Sequence, residues 1–273
     1  MMRFTAGIAL LTALFAQPPA TPLQQMVDTE RAFAQRATVI SWKQAFLEYF
    51  ADDSVGFDGT NTASLKKQIA GIPDPPAGAK LLWEPRFGGI AASGELGWLT
   101  GPSTSINPAR NNGAPRYGNY ASVWKRQPDG SFKVLLDVGI TVPNPATFAP
   151  GFTAAPRGRP FTGSTADATG TLRAADQALG LAIASGQAAA YRGRLAFAAR
   201  MHRDGVMPLV GEADILKWLA TQPPAKPVEH GFAETARSGD LGYTWGKYGE
   251  GAYVRVWTRD EGGAWKVALD VVQ

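Results

Sequence analysis

The chain contains two copies of one sequence pattern, and this duplication is the feature that most constrains its fold. The segment SGELGWLTG at residues 93–101 returns as SGDLGYTWG at 238–246. A longer segment, YASVWKRQPDGSFKVLLDV at 120–138, returns as YVRVWTRDEGGAWKVALDV at 253–271. A repeat of this length indicates two similar domains, because the units of a solenoid are much shorter. With 273 residues, each copy has enough chain for its own hydrophobic core.

The charge and residue composition exclude several classes of protein. The chain has 27 basic and 23 acidic residues, and the basic side chains are scattered, so we predict no nucleic-acid partner. The lack of cysteine excludes disulfides and thiol chemistry. The sequence shows no metal-ligand spacing, nucleophile elbow, phosphate-binding loop or dinucleotide fingerprint, and we therefore predict neither a metal nor a cofactor.

Residues 1–16 are typical of an export signal. Met1, Met2 and Arg3 form a short basic start, and an apolar run extends from Phe4 to Ala16. This run is too short for a stable membrane anchor. We predict cleavage after Ala16, or alternatively after residue 20, and a secreted or periplasmic mature protein. The alternative is that this segment is a buried first helix.

Hydrophobic periodicity predicts the same order of elements in both copies. In the first copy, spacing by three and four residues predicts helices over 24–40, 41–50 and 63–70. A short strand is predicted at 54–57, and about four strands between 80 and 142. In the second copy the predicted helices are 166–184, 187–199 and 212–220, with a short strand near Met201 and four strands over 226–272.

The segment 143–165 is rich in proline, glycine and threonine and has no usable period, which is typical of a linker. It divides the chain into a first domain at 22–142 and a second at 166–273. Helices followed by a meander of strands predict an α+β domain, with about three helices packed on one face of a curved antiparallel sheet.

Both copies resemble the cone-shaped fold shared by nuclear transport factor 2, ketosteroid isomerase, scytalone dehydratase and the SnoaL-like polyketide cyclases. The resemblance covers about 110 residues in each copy. It rests on the order of elements, on FADDSV at 50–55, and on an aromatic-Lys-Val sequence at 132–134 and again at 265–267. It implies two tandem cone-shaped domains, in which the helices and the concave face of the sheet enclose a pocket. Because this fold hosts enzymes, carriers and scaffolds alike, the resemblance does not assign a function.

The last strand of each copy bears on acid–base chemistry. Simple alternation predicts that its apolar face points to the core and that Lys133, Leu135 and Asp137 share the opposite face. The predicted core-facing residues are Phe132, Val134, Leu136 and Val138. SnoaL-like cyclases often carry inward-facing histidines at the end of this strand. The matching positions here are apolar in both copies, so we expect no cyclase-type chemistry from this strand.

Asp58 is the candidate catalytic residue that the resemblance implies. Ketosteroid isomerase has its base just after the Ala-Asp-Asp segment, and Asp58 falls at that position. A desolvated carboxylate there would move a proton next to a carbonyl. The alternative is that Asp58 and Gly59 form a turn, since Asp-Gly is a common turn pair.

Aromatic side chains with polar tips form a second set of candidates, because such walls suit an apolar or ring-shaped ligand. Core packing explains these residues equally well. Arg255 shares a strand face with two of them. The candidate ligand-binding residues of this set are Trp83, Trp98, Tyr120, Trp124, Tyr243, Trp245, Tyr253, Arg255 and Trp257.

Histidines and an arginine form the third set. Arg200 and His202 are candidates for binding an anionic ligand, because arginine presents a fixed fork of donors. The alternative for this pair is a solvated strand edge. His230 lies on a predicted strand and is also a candidate ligand-binding residue.

We predict that the exported protein binds a small apolar or amphipathic molecule without catalysis. One alternative is an isomerase, dehydratase or cyclase that uses Asp58 as general base; another is an interaction scaffold whose pockets are filled by side chains. Pocket volume separates the scaffold from the other two, and a buried carboxylate facing a cavity separates the enzyme from the binder. Because domains of this family commonly pair through the outer face of the sheet, we predict a monomer with an internal pseudo-dimer.

Overall fold

The computed structural model describes residues 20–57, 62–147 and 149–273. Two units follow one another along the chain. The helices and strands of the first unit are α1 (Pro22–Val39), α2 (Trp42–Tyr49), β1 (Phe50–Phe57), β2 (Thr62–Ser64), α3 (Leu65–Gly71), β3 (Lys80–Trp83), β4 (Phe87–Ile90), β5 (Leu96–Ile106), β6 (Arg116–Arg126) and β7 (Phe132–Val142). After the two-residue strand β8 (Thr153–Ala154), the second unit contains α4 (Thr165–Ile183), α5 (Gln187–Tyr191), β9 (Leu195–Arg203), β10 (Leu209–Val210), α6 (Glu212–Leu219), β11 (Val228–Thr235), β12 (Leu241–Tyr248), β13 (Gly251–Arg259) and β14 (Trp265–Val272).

The first helix of each unit begins at a capping residue. The Thr21 hydroxyl accepts a hydrogen bond from the Gln24 amide, and Pro22 occupies the first turn of α1. Ser164 forms a capping box with Asp167 at the start of α4. These signals fix where each unit's main helix starts, and the apolar stripe along each helix then packs on the sheet.

Each unit has one curved sheet built on the same plan. The first sheet has the strand order β2-β1-β7-β6-β5-β4-β8, with β3 paired to β5, and the second has the order β10-β9-β14-β13-β12-β11. Most pairs are antiparallel, but the first long strand of each unit runs parallel to the last, as β1 to β7 and β9 to β14. The observed architecture confirms the predicted α+β class with helices on one face of each sheet.

A β-bulge interrupts the last strand at the same point in both units. In the first unit Val123 pairs with Leu136 and Trp124 pairs with Val134, so Leu135 is an extra residue. In the second unit Ala268 is the extra residue, at the matching place. Since a bulge shifts the alternation by one, residues before and after it face opposite sides from those that simple counting gives.

The two sheets pack against each other through their outer faces, and a shared core of buried apolar side chains lies between them. Residues from both units contribute to this core, among them Leu96, Trp98, Val123, Leu136, Val138, Leu241, Tyr243, Val256, Leu269 and Val271. This contact is between two parts of one chain. The oligomeric state of the chain in solution stays a prediction.

The repeated Ser-Gly-Glu/Asp-Leu-Gly segment makes the most symmetric part of this contact. The Ser93 amide donates to the Ser238 hydroxyl and the Ser238 amide donates to the Ser93 hydroxyl, both at 3.1 Å. Glu95 accepts from the amide of Arg237, and Asp240 accepts from the amide of Ala92. Such reciprocal bonds are what a two-fold axis between equivalent surfaces produces.

The sequence-based boundaries differ from the structure in several places, and the strand predicted at 54–57 already begins at Phe50. The helix predicted over 187–199 ends at Tyr191, and Leu195 begins strand β9. Between 80 and 142 the sheet has five strands, not about four. The segment predicted as a linker contains β8, which pairs with β4 at the edge of the first sheet. The predicted export signal at 1–16 lies outside the described residues. Within the described ranges, no helix is both long and apolar enough to cross a membrane.

Candidate ligand-binding site

An acidic residue lies on the buried stripe of the main helix in each unit. In α1 the buried positions are Met26, Val27, Glu30, Phe33 and Ala37. In α4 they are Ala168, Leu172, Asp176, Leu179 and Ile183. The helical period of 3.6 residues places these acids among apolar neighbours that face the sheet. Each carboxyl group therefore points into the space between helix and sheet.

A second acid reaches the same space from the last strand. Alternation from Phe132 predicted that Asp137 faces away from the helices, and this prediction is wrong. Phe132 and Val134 pack with α1, whereas Leu136 and Val138 belong to the core between the sheets. The bulge at Leu135 causes the change of face, so Asp137 lies on the helix side.

We use the term first cone for the space enclosed by α1 and α2 on one side and by strands β3, β5, β6 and β7 of the sheet on the other. Glu30 lies on the helix side and accepts three hydrogen bonds. Nε1 of Trp83 donates to one carboxylate oxygen of Glu30 at 2.6 Å. The other oxygen accepts from the Ser122 hydroxyl and from Nε1 of Trp124, each at 2.9 Å. The donors belong to β3 and β6, so Glu30 ties the helix to the sheet.

The two acids of the first cone have raised pKa values. Burial raises the pKa of Glu30 to about 7, although the bonds from Trp83, Ser122 and Trp124 lower it in part. Burial, followed by the charge of Glu30, raises the pKa of Asp137 to about 8. No side chain of the described residues donates a hydrogen bond to the Asp137 carboxyl group. Near pH 7 this pair holds at least one proton.

Tyr120 brings a third polar group to the same place. Its ring is buried, and its hydroxyl has no hydrogen-bond partner among the described residues. Burial, then the charges of Glu30 and Asp137, raise its pKa well above the ordinary value. The hydroxyl is therefore neutral and available to donate to a bound molecule.

A cavity of about 100 Å³ lies beside these groups. It is lined by Phe33, Phe46, Leu81, Trp83, Ser103, Tyr120, Asp137 and Gly139. Gly139 is exposed and lies at the rim, so the cavity meets solvent there. This volume holds several water molecules or a small organic group. Aromatic rings form most of its wall, and the carboxyl and hydroxyl groups supply its polar part.

The corresponding space of the second unit, which we call the second cone, is occupied by an arginine. Nε of Arg255 lies 2.7 Å from Asp270, and its Nη1 lies 2.8 Å from Asp176. The side chains of all three residues are fully buried. Tyr191 donates to Asp270 at 2.6 Å, and Tyr253 donates to Asp176. The acids of this cone are therefore neutralised and hydrogen-bonded by the chain itself.

The electrostatics of the second cone are the reverse of those of the first. Burial alone would raise the pKa of Asp270, but the charges of Arg203 and Arg255 lower it to about 2. For Asp176, burial is likewise outweighed by the hydrogen bond from His230 and the charge of Arg255, which hold its pKa below the ordinary value. Both acids are ionised at neutral pH as members of a buried ion-pair network.

One substitution between the copies accounts for much of this contrast. Arg255 stands 133 positions after Ser122, within the longer repeated segment. Ser122 lies opposite Asp137 on the neighbouring strand, as Arg255 lies opposite Asp270, but it carries no charge and its hydroxyl donates to Glu30. The first cone therefore keeps both acids and lacks the cation that lies between them in the second cone.

The predicted ligand-binding residues separate into three places. Trp83, Tyr120 and Trp124 lie in the first cone. His230, Tyr253, Arg255 and Trp257 lie in or beside the second cone, where Nδ1 of His230 is 2.6 Å from Asp176 and Trp257 donates to Thr244. The other five, which are Trp98, Arg200, His202, Tyr243 and Trp245, lie at the contact between the units.

The structure corrects the interpretation of Arg200 and His202 as a solvated strand edge. The Arg200 guanidinium stacks 3.9 Å from the ring centroid of Phe87 in the other unit. His202 is fully buried and contacts the Asn119 amide of the first sheet. Burial, then the charges of Arg200 and Arg203, lower the pKa of His202 to about 3, so its imidazole is neutral. These residues connect the units and lie outside both cones.

A larger cavity of about 490 Å³ lies between the units, beside the connecting segment. Its wall is largely apolar and includes Phe87, Trp98 and the exposed Phe197. Two of its cations already have partners, since Arg159 donates to the Glu261 carbonyl and Lys266 pairs with Asp260. We place the candidate site in the smaller first cone because the Asp137 carboxyl group and the unpartnered Tyr120 hydroxyl line that cavity.

Asp58, the base implied by the resemblance, lies outside the described residues. Among the residues that are described, no group of three or more histidine, aspartate or glutamate side chains is arranged to hold a metal ion. The sequence interpretation missed Glu30, Asp137, Asp176 and Asp270. Two signals were present: an acid inside each apolar helix stripe, and an aspartate kept at the same place in both final strands.

No protein-family model matches the chain, and no curated protein matches it. Solved structures are similar to about half of it. A candidate ketosteroid isomerase from Parabacteroides distasonis is 18% identical, with a TM-score of 0.35, over 43% of this chain and 89% of that protein. A candidate scytalone dehydratase from Novosphingobium aromaticivorans is 15% identical, with a TM-score of 0.36, over 50% and 93%. An NTF2-like protein with a cystatin-like fold from the same species is 14% identical, with a TM-score of 0.32, over 43% and 80%. These identities are too low to assign a function to this chain.

Proposed function

We propose that this tandem protein of nuclear transport factor 2-like fold binds a small molecule in its first cone, while the second cone is a filled structural counterpart. The observation that carries the proposal is the exchange of Arg255 for Ser122 at equivalent positions. In the second cone two buried acids are bridged by the arginine, whereas in the first cone Asp137 lines a cavity of about 100 Å³ and the charge of Glu30 lies close to it.

The energetics of buried polar groups support a ligand in the first cone. A buried polar group without a partner costs about 1–3 kcal/mol. Among the described residues of the first cone, the buried Tyr120 hydroxyl is such a group. A buried group without a partner in a native protein needs an explanation. A bound molecule that forms a hydrogen bond with it would provide that explanation, and the cavity has room for such a molecule.

The size and wall of the cavity define the class of molecule. The volume is smaller than the roughly 300–1,000 Å³ of a pocket for a drug-sized ligand. The ligand is therefore small, or one end of a longer molecule enters past Gly139. Aromatic faces on Phe33, Phe46 and Trp83 suit a flat or compact apolar body, and the acids and the Tyr120 hydroxyl suit one polar group on it.

Export and a monomeric state belong to the same proposal. The basic and apolar start of the sequence supports export to the periplasm or the medium, followed by removal of residues 1–16. The reciprocal bonds between Ser93 and Ser238 support a monomer, because the outer faces of the two sheets already cover each other. The mature protein would thus be a soluble binder with one open cone.

Binding is tested with three probes that share a ring and differ in charge: benzyl alcohol, benzylamine and benzoate. Ligand-detected NMR on the purified mature protein measures the affinity of each probe. We expect at least one probe to bind, and Ser122→Arg and Asp137→Asn to weaken its binding about tenfold or more. Asp52→Asn is the matched control, because Asp52 is an exposed acid of the same unit that pairs with Lys66. If no probe binds, or if the three variants behave alike, the first cone is not the site.

Proton transfer is a second candidate function, and the acids of the first cone favour it. Carboxyl groups with pKa values of about 7 and about 8 are suited to general acid–base chemistry at neutral pH. Glu30 and Asp137 would then take the role that the resemblance gave to Asp58, with Tyr120 donating to an oxygen of the substrate. Exchange of the α-protons of cyclohexanone with deuterated water, followed by NMR, tests this. Exchange that is faster than in buffer alone, and that is lost in both Glu30→Gln and Asp137→Asn, supports catalysis. If the wild-type protein exchanges these protons no faster than buffer does, the proton-transfer function is wrong and only the binding function remains.

A further inference from the structure

We propose that the first cone selects a small organic cation, of the guanidinium or amine class, whose charge lies between Glu30 and Asp137. This inference rests on the proposed function, because it assigns the ligand class of the same site. The second cone provides the template within the same chain: its guanidinium group bridges Asp176 and Asp270.

The equivalence of the two sites follows from both the helices and the strands. Each buried residue of α1 except Val27 has a buried counterpart in α4 that lies 146 positions later in the sequence. Glu30 therefore corresponds to Asp176. Within the longer repeated segment, Asp137 corresponds to Asp270 at an offset of 133. The bulges at Leu135 and Ala268 turn these two aspartates to the same side of their sheets.

The surroundings of the missing cation are also repeated. The Arg255 guanidinium carbon lies 4.2 Å from the ring centroid of Tyr253, in the range of a cation–π contact. Tyr120 corresponds to Tyr253, and it lines the cavity of the first cone. A cation in this cavity would thus contact the Tyr120 ring and the Asp137 carboxyl group, with the charge of Glu30 close by.

The charges that face this site are mainly negative. Asp137 on β7 lines it, Glu30 on α1 is close enough to raise the pKa of Asp137, and Glu84 after β3 is close enough to raise the pKa of Glu30. Arg31 is the nearby cation of α1, but its Nε lies 3.1 Å from Glu84 and is paired with it. A positively charged ligand would therefore relieve the repulsion between Glu30 and Asp137.

The pH dependence of binding has a definite sign. In the absence of ligand, burial and mutual repulsion hold protons on Glu30 and Asp137 near neutral pH. A cation favours the ionised acids, so its binding releases protons and its affinity rises with pH. The gain is about tenfold per pH unit below the pKa of a carboxyl group that must ionise. We expect at least about tenfold tighter binding at pH 8 than at pH 6, and a probe that stays charged throughout this range is required.

Methylguanidinium and N-methylurea provide the test, because they have nearly the same shape and differ in charge. Calorimetry on the full mature protein measures both at pH 6 and pH 8. We expect methylguanidinium to bind at least tenfold more tightly than N-methylurea, and to release protons in buffers of different ionisation enthalpy. Asp137→Asn should weaken methylguanidinium by about ten- to a hundredfold, as expected for a hydrogen bond to a charged group. Asp52→Asn should leave its affinity unchanged.

A rescue experiment in the second cone tests the template itself. Arg255→Ala removes the resident guanidinium and leaves Asp176 and Asp270 behind. Methylguanidinium should then raise the melting temperature of this variant by several degrees more than it raises that of the wild type, and N-methylurea should not. If Arg255→Ala fails to fold, Arg255→Lys retains a cation in the cone, and the calorimetry on the first cone still decides the question.

The possible outcomes separate the ligand class from the binding function. If N-methylurea or benzyl alcohol binds the first cone as tightly as its charged counterpart, or if affinity falls from pH 6 to pH 8, the cation proposal is wrong and small-molecule binding stands. If neither charged nor neutral probes bind in a manner that depends on Asp137, both proposals fail together. Selective, proton-releasing binding of methylguanidinium supports both.

Discussion

Replacing Arg255 by methionine should destabilise the second unit strongly while leaving the first cone unchanged. Methionine fills much of the same volume without the charge, so the change removes the cation and keeps most of the apolar packing. Asp270 retains Arg203, whose guanidinium lies 2.6 Å away. Asp176 loses its permanently charged partner and keeps hydrogen bonds from His230, Thr244 and Tyr253.

The magnitude follows from the contacts that are lost. Arg255 makes two charged bonds of 2.7 and 2.8 Å, in a place where all three side chains are fully buried. Removing one partner of such a buried ion pair costs about 3–5 kcal/mol. At about 2–4 °C for each kcal/mol, the melting temperature should fall by about 6–20 °C. Ser122→Ala is the matched control at the equivalent position and should cost only about 1 kcal/mol, since Glu30 keeps its two tryptophan donors.

Urea unfolding between pH 4 and pH 7 provides the measurement. In the wild type, the pKa of Asp270 is about 2, below its ordinary value of 3.8, so its contribution is present above about pH 4 and is lost as pH falls toward 2. In Arg255→Met, burial of Asp176 without Arg255 should raise its pKa above the unfolded value. The variant then regains stability as pH falls, and the difference from wild type should narrow from pH 7 to pH 4. A loss below about 1 kcal/mol at pH 7, or a difference that does not change with pH, would refute this account of the second cone.

Four other outcomes check separate parts of the structure. Tyr120→Phe should raise the free energy of unfolding by about 1–3 kcal/mol because it removes a buried hydroxyl that has no partner, whereas Tyr253→Phe should lower it by about 1.5–3 kcal/mol because it loses a bond to Asp176; urea titrations compare the two. Because His202 stays neutral in the folded protein, stability should fall by about 1.4 kcal/mol per pH unit from pH 6.5 toward 3, and His202→Gln should remove that slope. N-terminal sequencing of the exported protein should begin near Gln17; an intact Met1 on a cytoplasmic product would contradict export. Light scattering should give the mass of one chain, and a dimer at low concentration would argue against the internal pairing.

The sequence predicted the architecture well because duplication and periodicity are local signals. The main helices, the final meander of strands and the order of elements all follow from spacing that is visible in the printed chain. The shared strand face of Tyr120, Ser122 and Trp124 was also predictable, because β6 keeps regular alternation through these residues. The helix predicted over 187–199 was wrong, since a run of alanines favours a helix even where Leu195 begins a buried strand.

The sequence could not identify the site, because each of its acids depends on a feature that counting misses. Asp137 faces the cone only because of the bulge at Leu135, which simple alternation does not include. Glu30 becomes a site residue only when β3 and β6 bring three donors to it from 53 to 94 positions away. Its pKa then reflects burial, which is a property of the packed protein.

The same distinction between what the sequence shows and what the tertiary structure decides applies to the two repeated segments. The chain by itself determined that there are two α+β units, because self-similarity and hydrophobic period do not depend on distant contacts. The packing of one sheet on the other decides that the Ser-Gly-Glu/Asp segments join the units, with Ser93 in contact with Ser238. In the same way, only the tertiary structure shows that Arg255 fills one cone while Ser122 leaves the other open. The exchange of these residues is visible in the sequence, but its consequence depends on the two acids that the fold brings close to this position in each unit.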